Sequence, residues 1–197
     1  MKIGYYGGTF DPPHLGHQIL ASEAIFQLEL DYVHWILTPL PPHKSDQEIS
    51  SVEDRIKMLQ AAFDDFPKFK LSRIDLDRNP PHYAADTVEL IKKQDSATTL
   101  IYIIGEDSLR DLPSWYAPDR FLKYIDQLCV ARRPNISVDL SQLDKKLPGI
   151  ESKIVFLENF ALQISSSIIR ERIMTNAPYQ HLVAPGVYKF INTNQLY

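Results

Sequence analysis

Two histidines stand three residues apart in residues 7–17, which read Gly-Gly-Thr-Phe-Asp-Pro-Pro-His-Leu-Gly-His. This spacing places His14 and His17 on one face of a predicted helix start, where both imidazoles can donate hydrogen bonds to one phosphate. Gly7 and Gly8 let the backbone approach a ligand closely and present amide donors. A helix start adds unpaired amides and a positive dipole end. The segment therefore predicts a site for a phosphorylated ligand.

Other motifs for anions and metals fit this segment poorly. No Gly-Lys-Ser/Thr follows the glycines, as a P-loop requires, and the Gly-x-Gly-x-x-Gly dinucleotide fingerprint is absent. His14 and His17 could ligate zinc, but no cysteine or second histidine cluster completes an obvious tetrahedral set. Gly16, between the histidines, leaves room for a flat or bulky ligand. We favour the phosphate interpretation and predict no protein-bound metal.

A second candidate phosphate segment spans residues 164–170, which read Ile-Ser-Ser-Ser-Ile-Ile-Arg. Serine is favoured as the N-cap of a helix, and a helix start also binds anions. Arg170 adds a forked cation about one turn further on. A plain cap with a solvated arginine is the better interpretation of this segment alone.

The predicted elements indicate how these segments are positioned. Strand-like and helix-like stretches alternate, which is typical of an α/β fold with a mostly parallel sheet. Strands are predicted at Lys2–Tyr6, Tyr32–Leu37, Phe69–Asp75, Thr98–Ile104, Leu128–Ala131 and Lys153–Phe156. Helices are predicted at His14–Leu28, Val52–Phe63, Tyr83–Lys93 and Ser165–Met174, with a last one from about Pro185. Ligands of such sheets bind at the carboxyl ends of the strands, where residues 7–17 begin.

Some segments between the elements carry predictions of their own. Ser50 followed by Glu53 indicates a capping box before the second helix. Residues 107–124 and 134–151 are predicted to be irregular. Asp75 and Asp77 are predicted to be exposed at a strand end, and we do not interpret them as a metal pair.

Composition and charge limit the possible partners. The 197 residues carry a net charge of −4, so the broad positive field of nucleic-acid-binding proteins is not expected. The single cysteine, Cys129, lies in an apolar run and is predicted to be buried. No leader or membrane-spanning run is evident. We expect a cytoplasmic protein of one domain over residues 1–197, helical from about residue 165, that binds neither nucleic acid nor membrane.

Residues 7–17 resemble the G-G-T-F-D-P-x-H-x-G-H signature of the nicotinate-nucleotide adenylyltransferase family, within the HxGH nucleotidyltransferase superfamily. Residues 164–170 resemble the family's I-S-S-T-x-I-R motif, with Ser167 in place of threonine. The resemblance implies a Rossmann-like, doubly wound sheet with helices on both faces. It implies an ATP site formed by Gly7, Gly8, Thr9, Phe10, Asp11, His14, Gly16, His17, Gly105, Asp107, Ile164, Ser165, Ser166 and Arg170.

Further matches to the family concern the acceptor. Residues 41–44 match P-P-H-K, which implies that Lys44 acts on the reacting phosphates together with His14, His17 and Arg170. Residues 82–87 resemble S/T-Y-T-x-D-T, with Ala84 in place of threonine. The family's tryptophan stacks on the nicotinate ring at the position of Trp115. The implied acceptor site comprises Lys44, Tyr83, Ala84, Thr87, Trp115 and Arg133. A solvated Arg132–Arg133 pair remains an equal alternative for Arg133.

The resemblance implies that nicotinate mononucleotide attacks the α-phosphorus of ATP, with Mg²⁺ bound to ATP and pyrophosphate released. A homo-oligomer is compatible with it. Three alternatives stay open: preference for nicotinamide mononucleotide, phosphopantetheine adenylyl transfer, and a non-catalytic nucleotide sensor.

Overall fold

The computed structural model describes residues 1–40, 49–132, 136–158 and 163–197. In this part of the chain, six strands form one sheet in the order β3-β2-β1-β4-β5-β6, and every neighbouring pair is parallel. The strands are β1 (Lys2–Gly8), β2 (Tyr32–Leu37), β3 (Phe69–Ser72), β4 (Thr99–Gly105), β5 (Gln127–Ala131) and β6 (Ile154–Leu157). The predicted doubly wound α/β fold is confirmed.

Helices follow the strands along the chain and cover both faces of the sheet. They are α1 (Leu15–Gln27), α2 (Val52–Phe63), α3 (Ala84–Gln94), α4 (Glu106–Asp111), α5 (Pro118–Tyr124), α6 (Leu140–Lys146), α7 (Ser166–Met174) and α8 (Pro185–Asn194). Within the described residues, no helix is both long and apolar enough to cross a membrane.

Alternate residues of the central strands point into two separate apolar cores, as the two-residue period of a strand requires. On one face, Leu100 and Tyr102 of β4 join α3, α5 and α6. On the other face, Ile101 and Ile103 join α1 and α2. Such strands are apolar throughout, which is why the sequence predicted β4 as a strand buried on both faces.

A third apolar cluster joins α2, α7 and α8 beside the sheet. It contains Met58 of α2, Ile169 of α7 and Val187 of α8, all fully buried. At Gly186 a Cβ atom would lie 2.9 Å from the carbonyl oxygen of Ala61, so only glycine lets α8 approach α2 this closely. The two last helices are thereby fixed to the helix that follows β2.

The prediction that residues 107–124 and 134–151 are irregular was wrong in part. The first segment contains most of α4, a 3-10 turn at Leu112–Ser114, and α5, while the second contains α6. These helices have only six or seven residues each. Helices this short show little periodicity, and packing against the sheet stabilises them more than intrinsic propensity does.

The predicted cap of α2 is one residue out of register. Ser51, not Ser50, is the N-cap, and its hydroxyl accepts a hydrogen bond from the Asp54 amide at 3.1 Å. The Ser51 hydroxyl also donates to the Asp54 carboxylate at 2.7 Å. Either serine could cap a helix, so only the position of the chain before α2 decides between them.

Asp75 is another difference from prediction, since β3 ends at Ser72 and Asp75 lies in the following turn at 3% exposure. Asp77 is exposed, as predicted, and pairs with Arg73 at 2.6 Å. Cys129 is fully buried in β5, also as predicted. Burial raises the pKa of its thiol to about 12, so the thiol is unreactive at neutral pH.

Candidate active site

The candidate site lies where β1 and β4 separate at the carboxyl edge of the sheet. Their pairing extends to Tyr6 and Ile103, although the strands continue to Gly8 and Gly105. The helix after β1 packs on one face of the sheet, and the helices after β4 pack on the other. Ligands of open α/β sheets bind at such a switch point.

Both glycines at the end of β1 are required by close neighbours inside the protein. A Cβ atom on Gly7 would lie 2.5 Å from the hydroxyl oxygen of Tyr102, and one on Gly8 would lie 2.8 Å from the ring of Phe10. Phe10 is 2% exposed, with φ at 51°. Its ring is therefore part of the core. The predicted contact of Phe10 with ATP would involve its main chain.

The two histidines lie together at the start of α1, as predicted. Their rings stack with centroids 3.6 Å apart and planes 20° apart. The main-chain amide of His14, the N-cap of α1, donates to Nδ1 of His17 at 3.2 Å. Since Nδ1 of His17 accepts this bond, the ring proton of neutral His17 is on Nε2. His17 therefore carries its hydrogen-bond donor at Nε2.

Gly16 leaves room for the His14 ring. A Cβ atom at this position would lie 3.0 Å from Nδ1 of His14 and 3.8 Å from Cβ of Ile164. His14 itself is only 5% exposed. Gly16 therefore accommodates the close approach of the His14 ring, and the space that it leaves for a ligand stays a prediction.

Asp11 fixes the shape of the loop between β1 and α1. Its side chain is 3% exposed, and one carboxylate oxygen accepts the Ser50 amide at 3.2 Å. The other oxygen accepts the Tyr197 hydroxyl at 2.6 Å. The contacts show that Asp11, which the family motif assigns to the ATP site, shapes this loop.

The second phosphate segment lies directly against this loop, although it is more than 150 residues away in the chain. Ser165 caps α7 by accepting the Ile168 amide at 3.2 Å, as predicted. Ser166 donates to the Pro12 carbonyl at 2.8 Å, and Arg170 donates to the Asp11 carbonyl at 2.6 Å. The starts of α1 and α7 therefore meet at residues 11–14.

Arg55 is a supporting residue that the sequence analysis missed. It is 1% exposed and donates to the carbonyls of Ser50, Thr9, Thr38 and Pro39, at 3.0, 3.2, 2.9 and 2.8 Å. Burial lowers the pKa of Arg55, and the nearby Asp11 carboxylate and Tyr197 act in the opposite direction. Its spacing from the buried Met58 and Leu59 places it on the buried face of α2, which is a signal present in the sequence.

Aromatic side chains surround the predicted acceptor site. Tyr83 is the N-cap of α3 and stacks on Tyr116, with ring centroids 4.1 Å apart. Trp115 is half-buried and meets the ring of Phe121 edge to face at 5.5 Å. Tyr116 is 54% exposed and was not predicted. Ala84 is the first residue of α3, where helix amides lack intrahelical partners.

The Thr87 side chain is buried and hydrogen-bonded within the protein. It is 1% exposed, and its hydroxyl bonds with the Asp75 carboxylate at 2.8 Å and the Tyr83 carbonyl at 3.1 Å. Arg78 completes this buried group by donating to Asp75 at 2.9 Å. Thr87 and Asp75 therefore stabilise the start of α3 from within the protein. Its neighbour Asp86 forms an ion pair with Arg120 of α5.

The remaining predicted residues fall into two groups. Gly105 is the N-cap of α4, and Asp107 lies in the first turn of that helix. Lys44 and Arg133 lie outside the described residues. In the part that is described, no group of three or more histidine, cysteine or acidic residues could hold a metal ion.

The chain is similar to known proteins over its whole length. Residues 5–172 match the family model described as cytidylyltransferase-like. A probable nicotinate-nucleotide adenylyltransferase of Dehalococcoides mccartyi is 37% identical over 198 residues, covering 100% of this chain and 97% of the relative. The nicotinate-nucleotide adenylyltransferase of Bacillus subtilis is 35% identical over 196 residues, covering 100% and 98%.

Solved structures share the fold. The nicotinic acid mononucleotide adenylyltransferase of Plasmodium falciparum complexed with NaAD has a TM-score of 0.81 at 20% identity, covering 100% of this chain and 97% of that chain. The same protein complexed with APC has a TM-score of 0.79 at 19% identity, covering 100% and 96%.

Proposed function

This chain belongs to the nicotinate-nucleotide adenylyltransferase family, and we propose that it transfers the adenylyl group of ATP to nicotinate mononucleotide. An oxygen of the acceptor's 5′-phosphate attacks the α-phosphorus of ATP, and the bond from that phosphorus to the β-phosphate bridging oxygen breaks. The products are nicotinate adenine dinucleotide and pyrophosphate.

The convergence of two helix starts on one loop carries this proposal. The α1 N-cap, His14, lies two residues after Pro12, whose carbonyl accepts the Ser166 hydroxyl of α7. The positive ends of two helices that meet attract a negatively charged ligand more strongly than one helix end does. Two imidazoles and Arg170 add donors at the same place. A polyphosphate is the ligand that matches this concentration of positive potential.

In the proposed reaction the protein positions the substrates and neutralises charge. The attacking phosphate oxygen is already an anion, so no strong general base is needed. The Nε2 proton of His17 and the guanidinium of Arg170 stabilise the charge that develops as pyrophosphate leaves. Lys44 is assigned the same task from the family motif alone, and holding both substrates in line supplies the remaining rate enhancement.

We propose that Mg²⁺ enters as the complex with ATP. Its oxygen ligands are then chiefly phosphate oxygens and water, which suits the preference of Mg²⁺ for near-octahedral sites that retain several waters.

The start of α3 favours the acid over the amide as acceptor. Ala84 and Ala85 begin an 11-residue helix, whose first amides and positive dipole end attract a carboxylate. An alanine at position 84 keeps the backbone donor. A neutral carboxamide would gain less from the same contacts, so nicotinate mononucleotide is the expected acceptor.

Pyrophosphate release tests the proposal directly. The protein is incubated with Mg-ATP and, in parallel, with nicotinate mononucleotide, nicotinamide mononucleotide or phosphopantetheine. We expect release with the first, at least about tenfold lower kcat/KM with the second, equivalent to about 1.4 kcal/mol, and none with the third. ATP binding without pyrophosphate from any acceptor would instead indicate a nucleotide sensor.

A further inference from the structure

Tyr197 contacts the loop between β1 and α1 (residues 9–14), although it lies more than 180 residues further along the sequence. Its hydroxyl donates to Oδ1 of Asp11 at 2.6 Å, while the Ser50 amide donates to Oδ2 at 3.2 Å. No motif in the sequence analysis pointed to Tyr197. Its contact nevertheless falls on the residue that shapes the loop between β1 and α1.

The backbone after α8 directs Tyr197 towards this loop. Gln195 has φ 50° and ψ 46°, the left-handed conformation that ends many helices, and the Leu196 amide donates back to the Ile191 carbonyl at 3.1 Å. The chain therefore turns back against α2. There the Tyr197 hydroxyl lies 4.0 Å from the sulfur of Met58.

The hydroxyl is a constant donor. Burial, and after it the Asp11 carboxylate, raise the pKa of Tyr197 above its ordinary value. The hydroxyl is therefore protonated throughout the pH range in which the protein would work. A buried carboxylate that lost this donor would have to move towards water or another donor.

Movement of Asp11 would displace the phosphate site. Its own carbonyl accepts Arg170, and the next carbonyl, that of Pro12, accepts Ser166. His14, the N-cap of α1, lies two residues further on. The Asp11 side chain thus fixes the one stretch of backbone to which both helix starts are bonded.

We propose that Tyr197 is a positioning residue for ATP. Through Asp11 it holds the loop between β1 and α1 in place, so the segment after α8 affects ATP binding at that loop. The inference rests on the proposed function for the identity of the ligand. Tyr197 contacts no reacting atom in this proposal. Loss of the Tyr197 hydroxyl is expected to weaken ATP binding and to leave acceptor binding nearly unchanged.

Tyr197→Phe tests this by removing only the hydroxyl. We expect the KM for ATP to rise about tenfold, equivalent to about 1.4 kcal/mol, while the KM for nicotinate mononucleotide stays within about twofold. Tyr179→Phe makes the same chemical change in the same apolar cluster, away from Asp11, and should leave both constants unchanged. Equal rises in both KM values for Tyr197→Phe, or no rise in either, would overturn the proposal.

A double-mutant cycle identifies the route of the effect. In an Asp11→Ala background the hydroxyl has no carboxylate to hold, so Tyr197→Phe should change the KM for ATP by less than about twofold. A full tenfold effect in that background would contradict action through Asp11.

Calorimetric titration with Mg-ATP alone separates this inference from the proposed reaction. Weaker ATP binding by Tyr197→Phe than by the native chain supports the positioning role even if no acceptor yields pyrophosphate. Unchanged ATP affinity in an active enzyme removes the positioning role and leaves the proposed function intact.

Discussion

At the scale of single residues, the His14 amide fixes the tautomer of neutral His17. It donates to Nδ1 of His17 at 3.2 Å, and the two rings stack. In the proposed reaction the Nε2–H group donates a hydrogen bond to a phosphate oxygen. A histidine used in this way is an oriented hydrogen-bond donor, and we assign it no role as a base.

His17→Ala should lower kcat by about 100- to 1,000-fold, the usual loss when one preorganised donor to a developing oxyanion is removed. Steady-state rates with Mg-ATP and nicotinate mononucleotide measure it. His181→Ala, an exposed histidine in a 3-10 turn, is the matched control and should behave like the native chain. Near-native kcat for His17→Ala would remove His17 from the mechanism.

Trp115 belongs to the same scale, because its proposed task is stacking on one ring. Its half-buried indole is held edge to face by Phe121 at 5.5 Å. Trp115→Ala should raise the KM for nicotinate mononucleotide about tenfold or more, since stacking on an aromatic side chain contributes about 1–3 kcal/mol per base. Trp115→Phe retains an aromatic face and should recover most of the affinity. An unchanged acceptor KM in Trp115→Ala would favour the phosphopantetheine alternative.

At the scale of elements, Arg55 joins α2 to the ends of β1 and β2. One buried guanidinium bonds to the carbonyls of Thr9, Thr38, Pro39 and Ser50. Those carbonyls belong to segments that leave the sheet at its carboxyl edge. The helix therefore fixes the connections around the site as well as covering the sheet.

Arg55→Leu should lower the free energy of unfolding by about 3 kcal/mol or more, because each buried acceptor left without a donor costs about 1–3 kcal/mol. Urea unfolding followed by circular dichroism measures the loss. Arg73→Leu removes an arginine whose side chain is 65% exposed and should change stability by less than about 0.5 kcal/mol. Equal stabilities for the two variants would show that the Arg55 bonds contribute little.

At the scale of the whole molecule, burial of a tyrosine hydroxyl and of the cysteine thiol makes the free energy of unfolding decrease at alkaline pH. Burial raises the pKa of Tyr5 from 10.0 to about 12 and that of Cys129 from 9.0 to about 12. The unfolded chain therefore loses these protons at lower pH than the folded chain. Stability is fully present below about pH 9 and decreases as the pH rises towards 12.

Urea unfolding at pH 8 and pH 11 should show a loss of stability of at least about 4 kcal/mol, because Cys129 alone contributes about 3 kcal/mol and Tyr5 about 1 kcal/mol. Cys129→Ala lacks the thiol, so its stability should fall correspondingly less over the same pH interval. If the native chain and Cys129→Ala had the same pH dependence, the thiol would not be protected as the structure indicates.

The sequence by itself determined the fold class and the central elements, and its motifs predicted two phosphate-binding segments. Tyr32–Leu37 and Val52–Phe63 were predicted with the bounds that the structure gives. The bounds of long periodic or continuously apolar runs can be predicted because burial of a whole face of the element sets their pattern. The family motifs supplied the nature of the substrates, which spacing alone did not.

Only the tertiary structure decided which groups support the site. Phe10 and Thr87 are buried, Ser51 caps α2, and Tyr197 holds Asp11 across 186 residues of sequence. A local pattern contains no information about a partner so distant in the chain, or about which of two adjacent serines meets a helix start. Those choices follow from how α2, α7 and α8 pack together, because packing fixes the distances between atoms that sequence order leaves open.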